Sequence, residues 1–98
     1  MAPKWERGPY ASKREASIAA SLKALESRGL IHDLREQERI VLVPGNGRLR
    51  PIVYVADFVY IDAEGRHHVQ DAKGFKTPVY RLKKRLAALL LGLEIEEV

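Results

Sequence analysis

The stretch that most constrains the fold is residues 52–73, IVYVADFVYIDAEGRHHVQDAK. Its first ten residues are almost all β-branched, aromatic or aliphatic, the composition of a strand. They are apolar on both faces, as a central strand covered on two sides must be. Asp62 to Gly65 supply turn chemistry, and residues 66–73 read as the returning strand. Strand side chains alternate between faces, so Val53, Val55, Asp57, Val59 and Ile61 are expected on one face. His67, Val69, Asp71 and Lys73 share a face of the second strand by the same rule. A hairpin centred on Glu64 sets Asp57 opposite Asp71. Like charges directly across two strands repel, and a buried unpaired one costs several kcal/mol in rough terms. A positive group must sit between them: Lys73, an arginine or a divalent cation.

The flanking segments supply the remaining layers. Residues 12–28 read as a helix capped by Ser12 and ended at Gly29. Ile18, Leu22 and Leu25 form its buried stripe, and Glu15 points along that stripe at its N-terminal end. Residues 37–43, QERIVLV, read as a strand, and residues 44–51, PGNGRLRP, as a turn. Thr77 and Pro78 make a cap and first turn for a second helix. Val79, Leu82, Leu86 and Leu89 are expected to be its apolar stripe, and Gly92 its end. Residues 93–97, LEIEE, alternate like a short last strand, which a right-handed crossover lays parallel to its neighbour. The expectation is one α/β domain over residues 12–98, a mixed sheet flanked by two helices. Residues 1–11, with Lys4, Trp5, Arg7 and Tyr10, read as a basic arm that either contacts a partner or packs.

Composition narrows the chemistry. The chain has 98 residues, 46% hydrophobic and 31% charged, the balance of a folded domain. It has no cysteine, which excludes disulfides and thiolate metal sites. No apolar run approaches the ~20 residues of a membrane helix, and residues 1–15 lack the apolar core of a signal peptide. A cytoplasmic protein is expected. Lys and Arg total 17 against 13 Asp and Glu, which suits a polyanionic partner.

Carboxylates are the donors that a hard ion such as Mg²⁺ prefers. Asp57 and Asp71 with open water positions would suit phosphate chemistry, where a metal activates water and shields departing charge. Lys73 would orient the water or stabilise the pentacovalent phosphate, and Glu15 would complete the cluster. Lys13, Lys76, Arg81, Lys83, Lys84 and Arg85 are the candidate phosphate-backbone contacts, beside the positive end of the second helix. Plainer readings stand beside these. Ser12-Lys-Arg-Glu15 is also a capping box. Asp57 and Lys73 would make a buried ion pair, and the basic run would be a solvated helix face. His67 and His68 face opposite sides of the strand and read as ordinary strand residues.

Asp57, the triplet Asp71-Ala72-Lys73 and Glu15 in SKREA together resemble the PD-(D/E)XK nuclease superfamily, whose core is αβββαβ. The segments YVADFVYID and DAKGFKTPVYRLKKRL are similar to small phage endonucleases of that superfamily, related to Holliday-junction resolvases. Ala56 stands where the superfamily usually has Pro. The resemblance covers residues 12–98 and implies a restriction-endonuclease-like fold and a metal-dependent DNA endonuclease. It implies Asp57, Asp71, the Ala72 carbonyl and Glu15 as ligands of Mg²⁺, with Mn²⁺ as substitute, and Lys73 as the residue that positions the nucleophile. Gln37 is expected near the site. The substrate expected is Holliday-junction or other branched DNA, cut by a homodimer in the cytoplasm, of a bacterial host if phage-encoded. Val79 and Leu90 are candidates for the dimer interface. The alternatives are an endonuclease for mismatched or sequence-specific duplex DNA, and a non-catalytic DNA-binding module.

Overall fold

A computed structural model describes residues 10–72 and 76–98. The elements run α1 (Lys13–Ser27), β1 (Ile31–Val43), β2 (Ile52–Asp62), β3 (His67–Asp71), α2 (Pro78–Leu91) and β4 (Ile95–Glu97). The order helix, three strands, helix, strand is the expected one. The strands form one sheet in the order β1-β2-β3-β4. β1/β2 and β2/β3 are antiparallel, and β4 lies parallel to β3.

Caps place both helices. The Ser12 hydroxyl accepts the Glu15 amide at 3.1 Å and starts α1. The Thr77 hydroxyl accepts the Tyr80 amide at 3.1 Å, with Pro78 in the first turn of α2. Gly92 ends α2 at φ 62°, a conformation that costs glycine little. Each helix covers its own core. Ala19 and Leu22 of α1 pack with Ile31 and Phe58, joined by Tyr10 at the edge. Tyr80 and Ala87 of α2 pack with Leu42, Tyr54, Ala56, Val69 and Ile95. Phe58 belongs to the first core, while its neighbour Val59 packs against the second. Consecutive strand residues point to opposite faces, so the two helices cover opposite faces of the sheet.

Three expectations are corrected. β1 begins at Ile31, six residues before the expected start at residue 37. Asp33 and Gln37 take positive φ values of 55° and 53°, and the register shifts between His32 and Arg35. These breaks hide the period of two from a reading of the sequence. Second, the expected face Val53-Val55-Asp57-Val59-Ile61 does not exist as one face. Tyr54 and Ala56 face α2, as does Val59, three residues after Ala56, whereas Phe58 and Tyr60 face α1. Alternation therefore breaks at Asp57, level with Gln37, between the pairs Glu36↔Phe58 and Glu38↔Ala56. Third, of the expected stripe of α2 only Leu86 packs against the sheet. Tyr80 and Ala87 are buried there with Leu86 packed beside them, while Val79, Leu82 and Leu89 are 60%, 54% and 75% exposed. The small Ala87 lets the helix approach closely, and the hydroxyl of Tyr80 has a partner on β4.

Candidate acidic site at the break in the sheet

The break at Gln37 and Asp57 gathers acids from three elements. Gln37 sits in the left-handed region, which few non-glycine residues adopt and which tends to mark a functional constraint. From there its side-chain amide donates to Glu15 Oε1 on α1 at 3.1 Å and to Asp57 Oδ1 on β2 at 3.2 Å. Asp57 Oδ2 in turn accepts the Ala72 amide at 2.8 Å, just past the end of β3. The β2/β3 ladder ends at Phe58↔Gln70, one step before Asp57 and Asp71. The expected juxtaposition of those two acids at the mouth of the hairpin thus follows from the register.

Asp71 is almost wholly buried, and its Oδ2 accepts the Tyr54 hydroxyl at 2.6 Å. Nothing in the sequence marked Tyr54, because its parity placed it opposite Asp57 rather than beside Asp71. The phenol is held well above its ordinary pKa, first by burial and then by the hydrogen bond to Asp71. β4 fixes Asp71 from the other side: Asp71 pairs with Glu97, and the Val98 amide donates to the Asp71 carbonyl at 3.0 Å.

Glu15 is buried, and its pKa is raised, chiefly by that burial and then by the charge of Asp57. The charges of Asp71 and Glu36 push it in the same direction, against a hydrogen bond from the Ala11 backbone. Glu15 therefore reaches back to the start of the helix and into the acidic group at the same time. Ser12 does the capping of the Glu15 amide, which leaves the Glu15 carboxylate available to Gln37.

Glu15 and Asp57 are held by neutral amide donors, which orient a carboxylate without cancelling its charge. Among the described residues, however, no three His, Cys, Asp or Glu side chains are grouped tightly enough to hold a metal ion together. The donors fit a hard cation of the Mg²⁺ kind only in its usual manner, one or two carboxylates with a carbonyl and several waters. Lys73, the expected partner of these acids, lies outside the described residues, as do Lys4, Trp5 and Arg7.

The expected phosphate contacts divide into two groups. Lys13, Arg81 and Arg85 are exposed, and Lys83 is half-buried. Lys76 and Lys84 are engaged instead by Glu97, at 2.9 and 3.2 Å. Tyr80 donates to the same carboxylate at 2.8 Å. These contacts, that of Lys76 first, hold Glu97 down to about 2. The cluster pins the start of α2 to the end of β4, beside Asp71.

His68 also departs from the sequence reading. Its two ring nitrogens lie 2.7 Å from Asp62 and 2.7 Å from Glu96, and the ring stacks on Tyr60 at 4.7 Å. A cavity of about 460 Å³ adjoins it, lined also by Arg35, Glu38, Val59 and Leu93. That cavity is lined by none of the acids at the break. No helix among the described residues is long and apolar enough to cross a membrane.

The chain matches no curated protein and no solved structure. A model of one protein family, described as "Protein of unknown function (DUF1064)", matches residues 5–90. That span is most of the chain, and the protein belongs to the DUF1064 family.

Proposed function

We propose that this protein is a metal-dependent DNA endonuclease with a restriction-endonuclease-like core. The observation that carries the reading is the bridge made by Gln37. From a backbone conformation rare for a non-glycine residue, the Gln37 side chain ties Glu15 of α1 to Asp57 of β2, and Asp57 accepts the amide next to Asp71. A fold has little structural reason to collect three carboxylates where two strands lose their alternation.

Asp57, Asp71 and the Ala72 carbonyl would hold Mg²⁺, or Mn²⁺ in its place, with Glu15 assisting. Such an ion, when bound, lowers the pKa of a water and polarises a phosphoryl oxygen. The chain's own groups do the rest. Tyr54 holds Asp71 in one orientation, and Gln37 does the same for Asp57. Glu15, with its raised pKa, takes up a proton more readily than an exposed glutamate would. Lys73 is proposed to orient the attacking water and Arg81, Lys83 and Arg85, with Lys13, to hold the phosphate backbone. The substrate proposed is branched DNA such as a Holliday junction, the class that the resemblance to junction-resolving endonucleases implies.

A second reading, a DNA-binding module without catalysis, is favoured by the internal hydrogen bonds that the acids already make. One assay separates the two. Four-way, flap and linear duplex DNA are incubated with the protein in Mg²⁺, in Mn²⁺ and in EDTA. Cleavage in either metal, absent in EDTA and reduced at least ~100-fold in Asp71→Asn, is the expected result. Tight binding without cleavage in both metals would establish the second reading instead. The ratio of rates on four-way and linear DNA reports the substrate class.

A further inference from the structure

Three donors converge on the Glu97 carboxylate. Lys76 Nζ lies 2.9 Å from Oε1, Lys84 Nζ lies 3.2 Å from Oε2, and the Tyr80 hydroxyl donates to Oε2 at 2.8 Å. Two ammonium groups and a hydroxyl are the donors that proteins turn on a phosphate. They come from one end of one helix: Lys76 precedes the cap Thr77, and Tyr80 and Lys84 stand one turn apart on the same face of α2. Arg81 and Arg85 follow each of these by one residue, so an exposed row of arginines adjoins the cluster. Glu97 pairs with Asp71 across the parallel ladder, which sets all of this beside the acids at the break.

Glu97 is a weak holder of that place against a polyanion. The Lys76 and Lys84 side chains are 45% and 40% exposed, so a backbone reaches them without any unfolding. Ion pairs this exposed are worth little and are screened by salt. A DNA backbone brings a row of phosphates, and each one neutralised releases condensed counterions. Only the Glu97 side chain has to turn away, since β4 is paired with β3 through its backbone.

We propose that Glu97 occupies the place of a DNA phosphate on Lys76, Tyr80 and Lys84, and yields it when the backbone docks along α2. Glu97 is then an internal competitor that holds down the affinity of the free chain. The inference rests on the DNA-binding part of the reading above and not on cleavage. A purely structural clamp between α2 and β4 differs in its consequence: loosening it would weaken binding or leave it alone, whereas removing a competitor strengthens it.

The test is binding of a short labelled duplex to the full chain, followed by fluorescence anisotropy in EDTA across a salt series. Glu97→Gln keeps an acceptor for the Tyr80 hydroxyl and removes the charge. It should tighten binding at least ~10-fold near 0.1 M salt and steepen the slope of log K against log salt by about 1–2, as two released ammonium groups require. In that background Lys76→Ala and Lys84→Ala should each cost a full unit of slope, about 1, and in the wild type less. Glu97→Asp keeps the charge but shortens the reach, and should shift binding in the same direction by a smaller amount. Glu94→Gln removes an equal charge from the exposed residue before β4 and should leave the slope unchanged. Equal tightening by Glu94→Gln would reduce the effect to net charge and overturn the proposal. So would Glu97→Gln and Glu97→Asp chains that keep the wild-type dichroism spectrum and bind DNA as the wild type does. A lack of cleavage in Mg²⁺ leaves the proposal standing, whereas a lack of DNA binding by wild type and variants alike overturns it together with the nuclease reading.

Discussion

Tyr54 and Glu15 show how much a single side chain can decide here. Tyr54 donates from a buried phenol to a buried carboxylate at 2.6 Å. Removing one donor of this kind costs about 1–3 kcal/mol, because the acceptor keeps its desolvation penalty. Tyr54→Phe should therefore lower the urea midpoint with little change in the slope of the transition. Glu15 behaves in the opposite sense. Its carboxyl is raised above the ordinary 4.5, so the folded protein binds that proton more tightly than the unfolded chain. Its contribution to stability is greatest at acid pH and declines as pH rises through the raised value. Glu15→Gln keeps an acceptor for Gln37 turned about and removes the charge. It should raise the melting temperature at pH 7–8 by a few degrees, where about 1 kcal/mol corresponds to roughly 4–8 °C in a domain of this size. Under the nuclease reading the same variant should lose cleavage, and melting curves beside a cleavage assay check both halves. Glu15 and Asp57 were legible in the sequence as acids out of place. Tyr54 was not, since only the break at Asp57 brings its face round to Asp71.

At the scale of the elements, His68 holds the edge of the sheet. It joins Asp62 in the β2–β3 turn to Glu96 on β4, the strand of three residues that closes the parallel edge. Asp62 also accepts the Glu64 and Arg66 amides of that turn. The imidazole pKa is raised from 6.5, first by the hydrogen bond to Asp62, and that of Asp62 is lowered by the same bond. The signs follow from the two shifts. The share due to His68 is complete below about 6.5 and is lost as pH rises through the higher folded value. The share due to Asp62 is present above the ordinary carboxylate value and is lost as pH falls through the depressed one. Thermal melts should therefore decline from pH 6 to pH 9, and His68→Gln should flatten that decline. The adjacent histidines offered no hint of this, because Glu96 lies across a parallel pairing that no local pattern encodes. β1 was half legible for a similar reason: residues 37–43 alternate cleanly, but the positive φ at Asp33 and Gln37 obscures the strand before them.

The whole molecule carries a formal charge of +4, and its exposed Arg81, Arg85 and Lys13 lie outside the cluster that Glu97 neutralises. If these residues meet a phosphate backbone, Arg81→Ala or Arg85→Ala should weaken DNA binding almost equally for all sequences. Each should also reduce the slope of log K against log salt by about 1, as fluorescence anisotropy across a salt series would show. Lys76→Ala should change that slope less, because its ammonium already faces Glu97 at 2.9 Å. By itself the sequence determined the order of elements, both helix caps, the central hairpin and the misplaced acids within it. Those depend on neighbours in the chain: turn residues, capping hydroxyls and the alternation of a strand. Tertiary structure alone decided that alternation fails at Gln37 and Asp57, that Tyr54 meets Asp71, and that α2 seats Tyr80, Ala87 and Leu86 while turning Leu82 and Leu89 outward. Each of these depends on how two distant segments share one face. The apolar stripe of α2 was visible in the sequence, but its helical period does not say which of its members meet the sheet.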